Sequence, residues 1–355
     1  MRRTLTLALA AALTALLALP LVASAAHKYD ERKARYDQEV GFSDQSARIF
    51  DDPAFQRLEI RRTRLIVPWN VMDDPQQLQK ATQYVQRSTA DGDLVLLHLG
   101  DETPGNAVDD NPLPSRKRYQ KAMDALVPYF FKLGVREFGV WNEANHKSQP
   151  TDKRPDRAAE YFMEAYRAIH LKSGIGCKFP RCRIVALDAL DEGDAERYIR
   201  KFYRRLNNRY DNRAETVGIH NYSAVNRFSN RLVGQMINAF RRENRGIDIW
   251  ATEVGGLVAF GSRNGSFPCN PNDPDSIERA EARQDRAIRF MFRQMRTFSR
   301  HLDRLYFYNW FGNDCRYDQS RGEDFNLFDA GIVESDGDPR DGYYEFQRRA
   351  RNFRR

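Results

Sequence analysis

From about residue 39 to its end, the chain alternates eight short, almost uninterrupted apolar runs with longer amphipathic stretches. The runs are EVGFSD (39–44), TRLIVPWN (63–70), DLVLLHLG (93–100), REFGVWNE (136–143), RIVALDA (183–189), TVGIHNYS (216–223), IDIWATEVG (247–255) and RLYFYNWFG (304–312). A strand with one wet face alternates apolar and polar residues. Near-continuous apolar runs instead mark strands buried on both faces, as in a parallel sheet covered by helices. The intervening stretches, such as DPQQLQKATQYVQRS and DRAAEYFMEAYRAIH, carry helical periodicity and open on Asp or other capping residues. In the closing DPRDGYYEFQRRARNF, the residues Tyr343, Phe346, Ala350 and Phe353 share one helical face and leave the arginines to water. Eight strand–helix units in order predict an α/β protein with one domain, a single (β/α)8 TIM barrel over residues 26–355.

Residues 1–25 do not belong to that pattern. Arg2 and Arg3 precede an apolar run, then Pro20 and the small-residue pattern Ala23-Ser24-Ala25. This is the layout of a secretory signal peptide, with cleavage expected before Ala26 and a secreted or cell-envelope location for the remainder. A retained anchor is the alternative; no later run is long and apolar enough to span a bilayer. Export makes the four cysteines disulfide candidates. Three pairings are open, and the expected one joins Cys177 to Cys182 across a short loop and Cys269 to Cys315. In a barrel the loops 256–275 and 313–325, which hold the second pair, are neighbours at one rim. No Cys-x-x-Cys spacing supports zinc. The net charge is +8, with arginines scattered over helix surfaces. No nucleic-acid-binding module accompanies them, although a basic surface also suits an anionic cell-wall glycan. A monomer without metal or organic cofactor is expected.

Barrels of this kind build their sites at the C-terminal ends of the strands. The fourth run ends in Asn142-Glu143 and the seventh in Glu253. The sixth carries His220 and Tyr222, the eighth Trp310, the second Arg64 and Trp69, and the third leads to His98, Asp101 and Glu102. Two carboxylates among aromatic and hydrogen-bonding groups suit the cleavage of a glycosidic bond in a poly- or oligosaccharide. Retention of configuration needs one carboxylic acid to protonate the leaving oxygen and a second carboxylate, about 5–5.5 Å away, to attack the anomeric carbon. Strands four and seven face each other across a barrel, so their ends converge. The acid must hold a proton while the nucleophile stays ionised, which requires different environments for the two.

With WNEAN and WATEVG at those two strand ends, the chain resembles the clan A retaining glycoside hydrolases, in the style of families 39 and 5 and cellulase-like proteins. The resemblance implies Glu143 as acid/base, Glu253 as nucleophile and Asn142 as partner of the substrate 2-hydroxyl. It also implies that Tyr222 of the His220-Asn-Tyr222 motif orients the nucleophile. Arg64 would keep that nucleophile ionised, and Trp310 would floor the sugar site. Many members have Pro after the acid/base glutamate; here it is Ala144.

Each of these residues also has a plainer reading. Glu143 could cap a helix, and Trp69, Trp141 and Trp310 could be core, where large aromatics usually lie. His98 could be a satisfied inner-layer residue, and Asp101 and Glu102 solvated loop acids. CNPNDPD (269–275) has acid spacing reminiscent of calcium loops but lacks their glycine and bidentate glutamate. Of two glycosylation sequons, Asn221-Tyr-Ser falls at a buried strand end, where no glycan is expected, and Asn264-Gly-Ser lies in a loop. The rival function is a carbohydrate-binding or cell-envelope interaction barrel without catalysis; transglycosylation would use the same two glutamates.

Overall fold

The computed structural model describes residues 34–101, 113–172, 174–210, 213–262, 265–317 and 325–355. The expected signal peptide, Glu102 and Asn264 lie outside the described residues. Eight parallel strands close into a barrel: β1 (Glu39–Ser43), β2 (Arg62–Pro68), β3 (Leu94–Gly100), β4 (Glu137–Gly139), β5 (Arg183–Leu190), β6 (Thr216–His220), β7 (Asp248–Val254) and, after one outlying strand, β9 (Leu302–Tyr308). β9 pairs in parallel with β1, Phe42 opposite Phe307, and so closes the ring. Each apolar run predicted from the sequence overlaps one of these strands. The fourth is the shortest, and Asn142 and Glu143 sit in the turn just beyond it.

The helices form where capping and periodicity place them. Asp74 accepts from the backbone N–H of Gln76 and Gln77 at the start of α2 (Pro75–Ala90). Ser115 does the same for Arg118 in α3 (Arg116–Lys132), and Asp273 for Asp275 in α8 (Pro274–Thr297). The Asp273 carboxylate of CNPNDPD is thus a helix cap. In the last helix, α9 (Asp341–Ala350), Tyr343, Phe346 and Ala350 are buried, and Phe353 beyond its end is buried too. Phe346 meets Phe42, Phe307 and Phe292, so this helix seals the seam where the first and last barrel strands join. Inside the barrel, Leu96, Val185, Trp250 and Tyr306 form one filled layer below the site.

Among the described residues, two strands lie outside the barrel. β8 (Ala259–Ser262) and β10 (Phe325–Asp329) pair antiparallel above the seventh and eighth barrel strands, in segments that the sequence presents as loops. Cys269 and Cys315 are bonded beside this small sheet, and Cys177 is bonded to Cys182. Among the described residues, no helix is long and apolar enough to cross a membrane.

Candidate active site

Arg64 is the hub at the C-terminal mouth of the barrel. It points inward from β2, is fully buried, and spreads its guanidinium across the barrel to β1, β5, β7 and the turn after β4. One Nη donates to Glu253 Oε2 at 2.5 Å and to Ser43 Oγ at 3.2 Å. The other donates to Asn142 Oδ1 at 2.6 Å and to Asp188 Oδ2 at 3.1 Å. A planar fork of five donors suits this task; the single ammonium of lysine could not meet so many acceptors. Tyr222, first residue of the short helix α6 (Tyr222–Asn226), donates to Glu253 Oε1 at 3.0 Å. The start of that helix is held by the Asp191 carboxylate, which accepts from the backbone N–H of Ser223 and Ala224. Both oxygens of Glu253 are therefore oriented, one by a cation and one by a phenol.

Glu143 faces Glu253 across the opening. Carboxylate oxygens of the two glutamates and a ring nitrogen of His220 all lie within 4.8 Å of one another. Glu143 has φ +47°, a left-handed conformation that costs a non-glycine residue about 1–2 kcal/mol and is held here by the fold around it. His220 places Nδ1 at 3.0 Å from Glu143 Oε1 and Nε2 at 2.8 Å from Asp188 Oδ2. Burial disfavours the His220 imidazolium, but the negative charges of Asp188 and Glu253 outweigh it and raise the pKa to about 10. For Glu143, burial favours the neutral acid, yet the hydrogen bond and charge of His220 prevail and hold it below the ordinary carboxylate range. In the free site the surroundings of Glu143 therefore favour its carboxylate, and those of His220 its imidazolium.

The cause is Asp188, which the sequence reading passed over. It is an acid within the apolar strand RIVALDAL, fully buried, bonded to His220, Arg64 and Thr252, and held well below its usual range by the cations around it. Two signals in the sequence point to it. Charged residues are rarely buried unless paired, and Gly218 interrupts the neighbouring strand. A Cβ at Gly218 would stand 1.9 Å from Asp188 Oδ1, and one at Gly139 would stand 2.2 Å from His98 Nδ1. Glycine inside a strand often marks such a close approach. His98 itself is an inner-layer residue, kept neutral by burial with a pKa lowered to about 3.

The aromatic expectations need correction. Trp310 is fully buried, packed against Phe42, Phe55 and Tyr343, with its indole N–H on Asp52. It is core and offers no face to a sugar. Trp69 and Trp141 are likewise buried. The aromatic ring near the glutamates on the last barrel strand is Tyr308, two residues before Trp310; the charges of Glu253 and Glu143 act on its hydroxyl. Asp101 is buried. Asn221 is also buried and bonded to Gln294, so its sequon is closed to a glycan as expected. His146, just after the motif, reaches toward Glu143 at 3.9 Å and Glu192 at 3.6 Å and lines the outer side of the opening.

Among the described residues, Glu143, His220 and Glu253 are the one group close enough to hold a metal ion. They do not suit one. Both nitrogens of His220 already face carboxylates, and Arg64 occupies the side of Glu253 that a cation would need.

No protein-family model and no curated protein sequence matches the chain. Solved structures do. A thermostable mutant of a xylanase from Cellvibrio japonicus superposes with a TM-score of 0.61 at 17% identity, covering 90% of this chain and 99% of that one. An exo-β-1,4-mannosidase from Opitutaceae bacterium strain TAV5 gives 0.60 at 15% identity, over 90% of this chain and 60% of that one. A fungal β-1,4-galactanase gives 0.59 at 13% identity, over 87% and 99%. The likeness is one of fold. It spans nearly the whole described barrel.

Proposed function

We propose that this protein is a retaining glycoside hydrolase acting on a poly- or oligosaccharide, with Glu143 as acid/base and Glu253 as nucleophile. The observation that carries this reading is the pair of carboxylates within 4.8 Å, a spacing suited to direct attack on the anomeric carbon and too short to seat a water between them. The neighbours' names, xylanase, mannosidase and galactanase, support the same class and point to β-1,4-linked glycans as the first substrates to try. Export of the mature domain is part of the proposal; it rests on residues 1–25 and on two disulfides, which persist in oxidising compartments.

The steps use the groups described. As Glu253 attacks the anomeric carbon, the bond to the leaving oxygen breaks and that oxygen takes a proton from Glu143. Water then attacks the same carbon, gives its proton to Glu143 and displaces Glu253. With Oδ1 committed to Arg64, Asn142 presents its Nδ2 to a sugar hydroxyl. Glu143 receives its proton from His220 along their shared hydrogen bond once substrate covers the site, so the two titrate as a pair holding one proton. The test is cleavage of xylo-, manno- and galacto-oligosaccharides with NMR reading of the product anomer. Retention is expected. Binding without cleavage, unchanged in Glu143→Gln, would replace this reading with the non-catalytic one.

A pH prediction follows from Asp188. Its charge raises the pKa of His220, so Asp188→Asn lowers it, and the pair loses its proton at a lower pH. The alkaline limb of kcat/KM then moves toward acid by at least about one pH unit, well inside the precision of a pH–rate profile. An unmoved limb in Asp188→Asn would show that His220 does not supply the proton.

A further inference from the structure

A row of aromatic rings leads out of the site. Tyr222, which donates to Glu253, meets Phe328 edge-on with centroids 5.2 Å apart. Phe328 meets Phe260 at 5.8 Å, and Phe260 meets Phe325 at 5.9 Å. Tyr308 approaches Phe328 from the last barrel strand at 6.0 Å. Exposure rises from Tyr222 outward to Phe260: Tyr222 is 9% exposed, Phe328 36% and Phe260 40%.

The two open rings stand on a rigid base. They belong to β10 and β8, which pair with each other and are flanked by the Cys269–Cys315 bond. Asn326 Nδ2 donates to the carbonyls of both cysteines, at 2.9 and 3.1 Å. Asp329, fully buried beneath the sheet, is held by Arg340 at 2.9 Å and by the N–H groups of Gly331 and Asn313. Single exposed phenylalanines are ordinary. Two of them joined to a nucleophile's hydrogen-bond partner, on a base braced by a disulfide and a buried ion pair, form a continuation of the cleft. A ring of this type has no hydroxyl or N–H, so it recognises apolar C–H faces.

We infer that Phe260 and Phe328 form a binding subsite for a neutral pyranosyl unit adjoining the one at Glu253, so that the natural substrate is a chain of sugars and not a monoglycoside. This rests on the hydrolase reading above. The two ring planes stand 67° apart, and a pyranose unit packed into the corner between them covers the apolar area that the two side chains now expose to water. Its linkage then continues along the row toward Tyr222.

The experiment compares wild type, F260A, F328A, the double variant and F328Y on β-1,4-linked xylo-, manno- and galacto-oligosaccharides of two to six units. Kinetics are run with active protein, and calorimetric binding in a Glu143→Gln background. The platform predicts that the double variant raises KM, or weakens binding, about tenfold for the longer members of the preferred series. kcat/KM for the longer members falls relative to the shortest cleaved member, and F328Y retains most of the affinity. Both positions are partly exposed, so thermal unfolding serves as the control for intact folding. Equal KM in wild type and the double variant at every length overturns the platform and leaves the hydrolase intact. Binding that the double variant weakens, with no cleavage by wild type, sustains the platform and overturns hydrolysis. Absence of binding to all three series overturns the platform.

Discussion

Glu253→Ala abolishes turnover, and added azide restores part of it with inversion of the product anomer. In the proposed mechanism the residue supplies the attacking oxygen, and losing a nucleophile that acts in concert with an acid costs on the order of 10⁴-fold or more in kcat. Alanine leaves a small space beside the anomeric carbon, with Arg64 and Tyr222 still aimed into it. A small anion fits there and meets a positive charge. Azide attacks the face that Glu253 would have attacked, so the glycosyl azide has the anomeric configuration opposite to the substrate, and no second displacement corrects it. The measurement is NMR of the product with and without azide. Full activity in Glu253→Ala would remove Glu253 from the mechanism, and Glu253→Gln, which keeps the shape, separates loss of chemistry from loss of fold.

Arg64→Leu is expected to damage stability and activity together. The guanidinium is fully buried and is the common partner of Glu253, Asp188, Asn142 and Ser43. Burial opposes its charge, yet Glu253 and Asp188 hold it firmly protonated. Removing one member of a buried charge cluster leaves the others uncompensated and costs about 3–5 kcal/mol. Leucine would leave three carboxylates, Glu143, Asp188 and Glu253, around the single remaining cation of His220. A fall in the urea midpoint and a kcat/KM loss of at least about 10³-fold are expected. Arg64→Lys keeps the charge without the fork, so it recovers stability more than rate. A leucine variant with wild-type midpoint and rate would show that the hub is ornamental. Comparing it with Asp188→Asn, which removes one anion from the same cluster, tests the coupling directly, because members of one network are not additive.

Much of this arrangement was legible in the chain. The runs without alternation announced strands buried on both faces, and counting them in order put Glu143 at the fourth end and Glu253 at the seventh. Of the three cysteine pairings the sequence leaves open, the favoured one is formed. Arg64 and Tyr222 stand where the strand count and the resemblance put them, and both hold Glu253. Other features were harder to read. Trp310 lies at the expected strand end, but its ring turns into the seam between barrel and last helix. A strand's period assigns a residue to a face and says nothing of what waits on that face. The sequence also marks Asp188 and Gly218 as unusual without saying that they touch, 30 positions apart, on adjacent strands.

The sequence by itself determined the barrel and the strand ends at which Glu143 and Glu253 stand, because burial on both faces and strand number are properties of local pattern and count. The tertiary structure decided which charges surround His220 and which rings border the site. Those depend on closing the barrel, which drives Asp188, His220 and Arg64 into one low-dielectric cluster where each charge sets the others. They depend also on the outlying sheet, which brings Phe328 against Tyr222 and Tyr308. Both are contacts between residues far apart in the chain, and their energies exist only once the strands between them are in place.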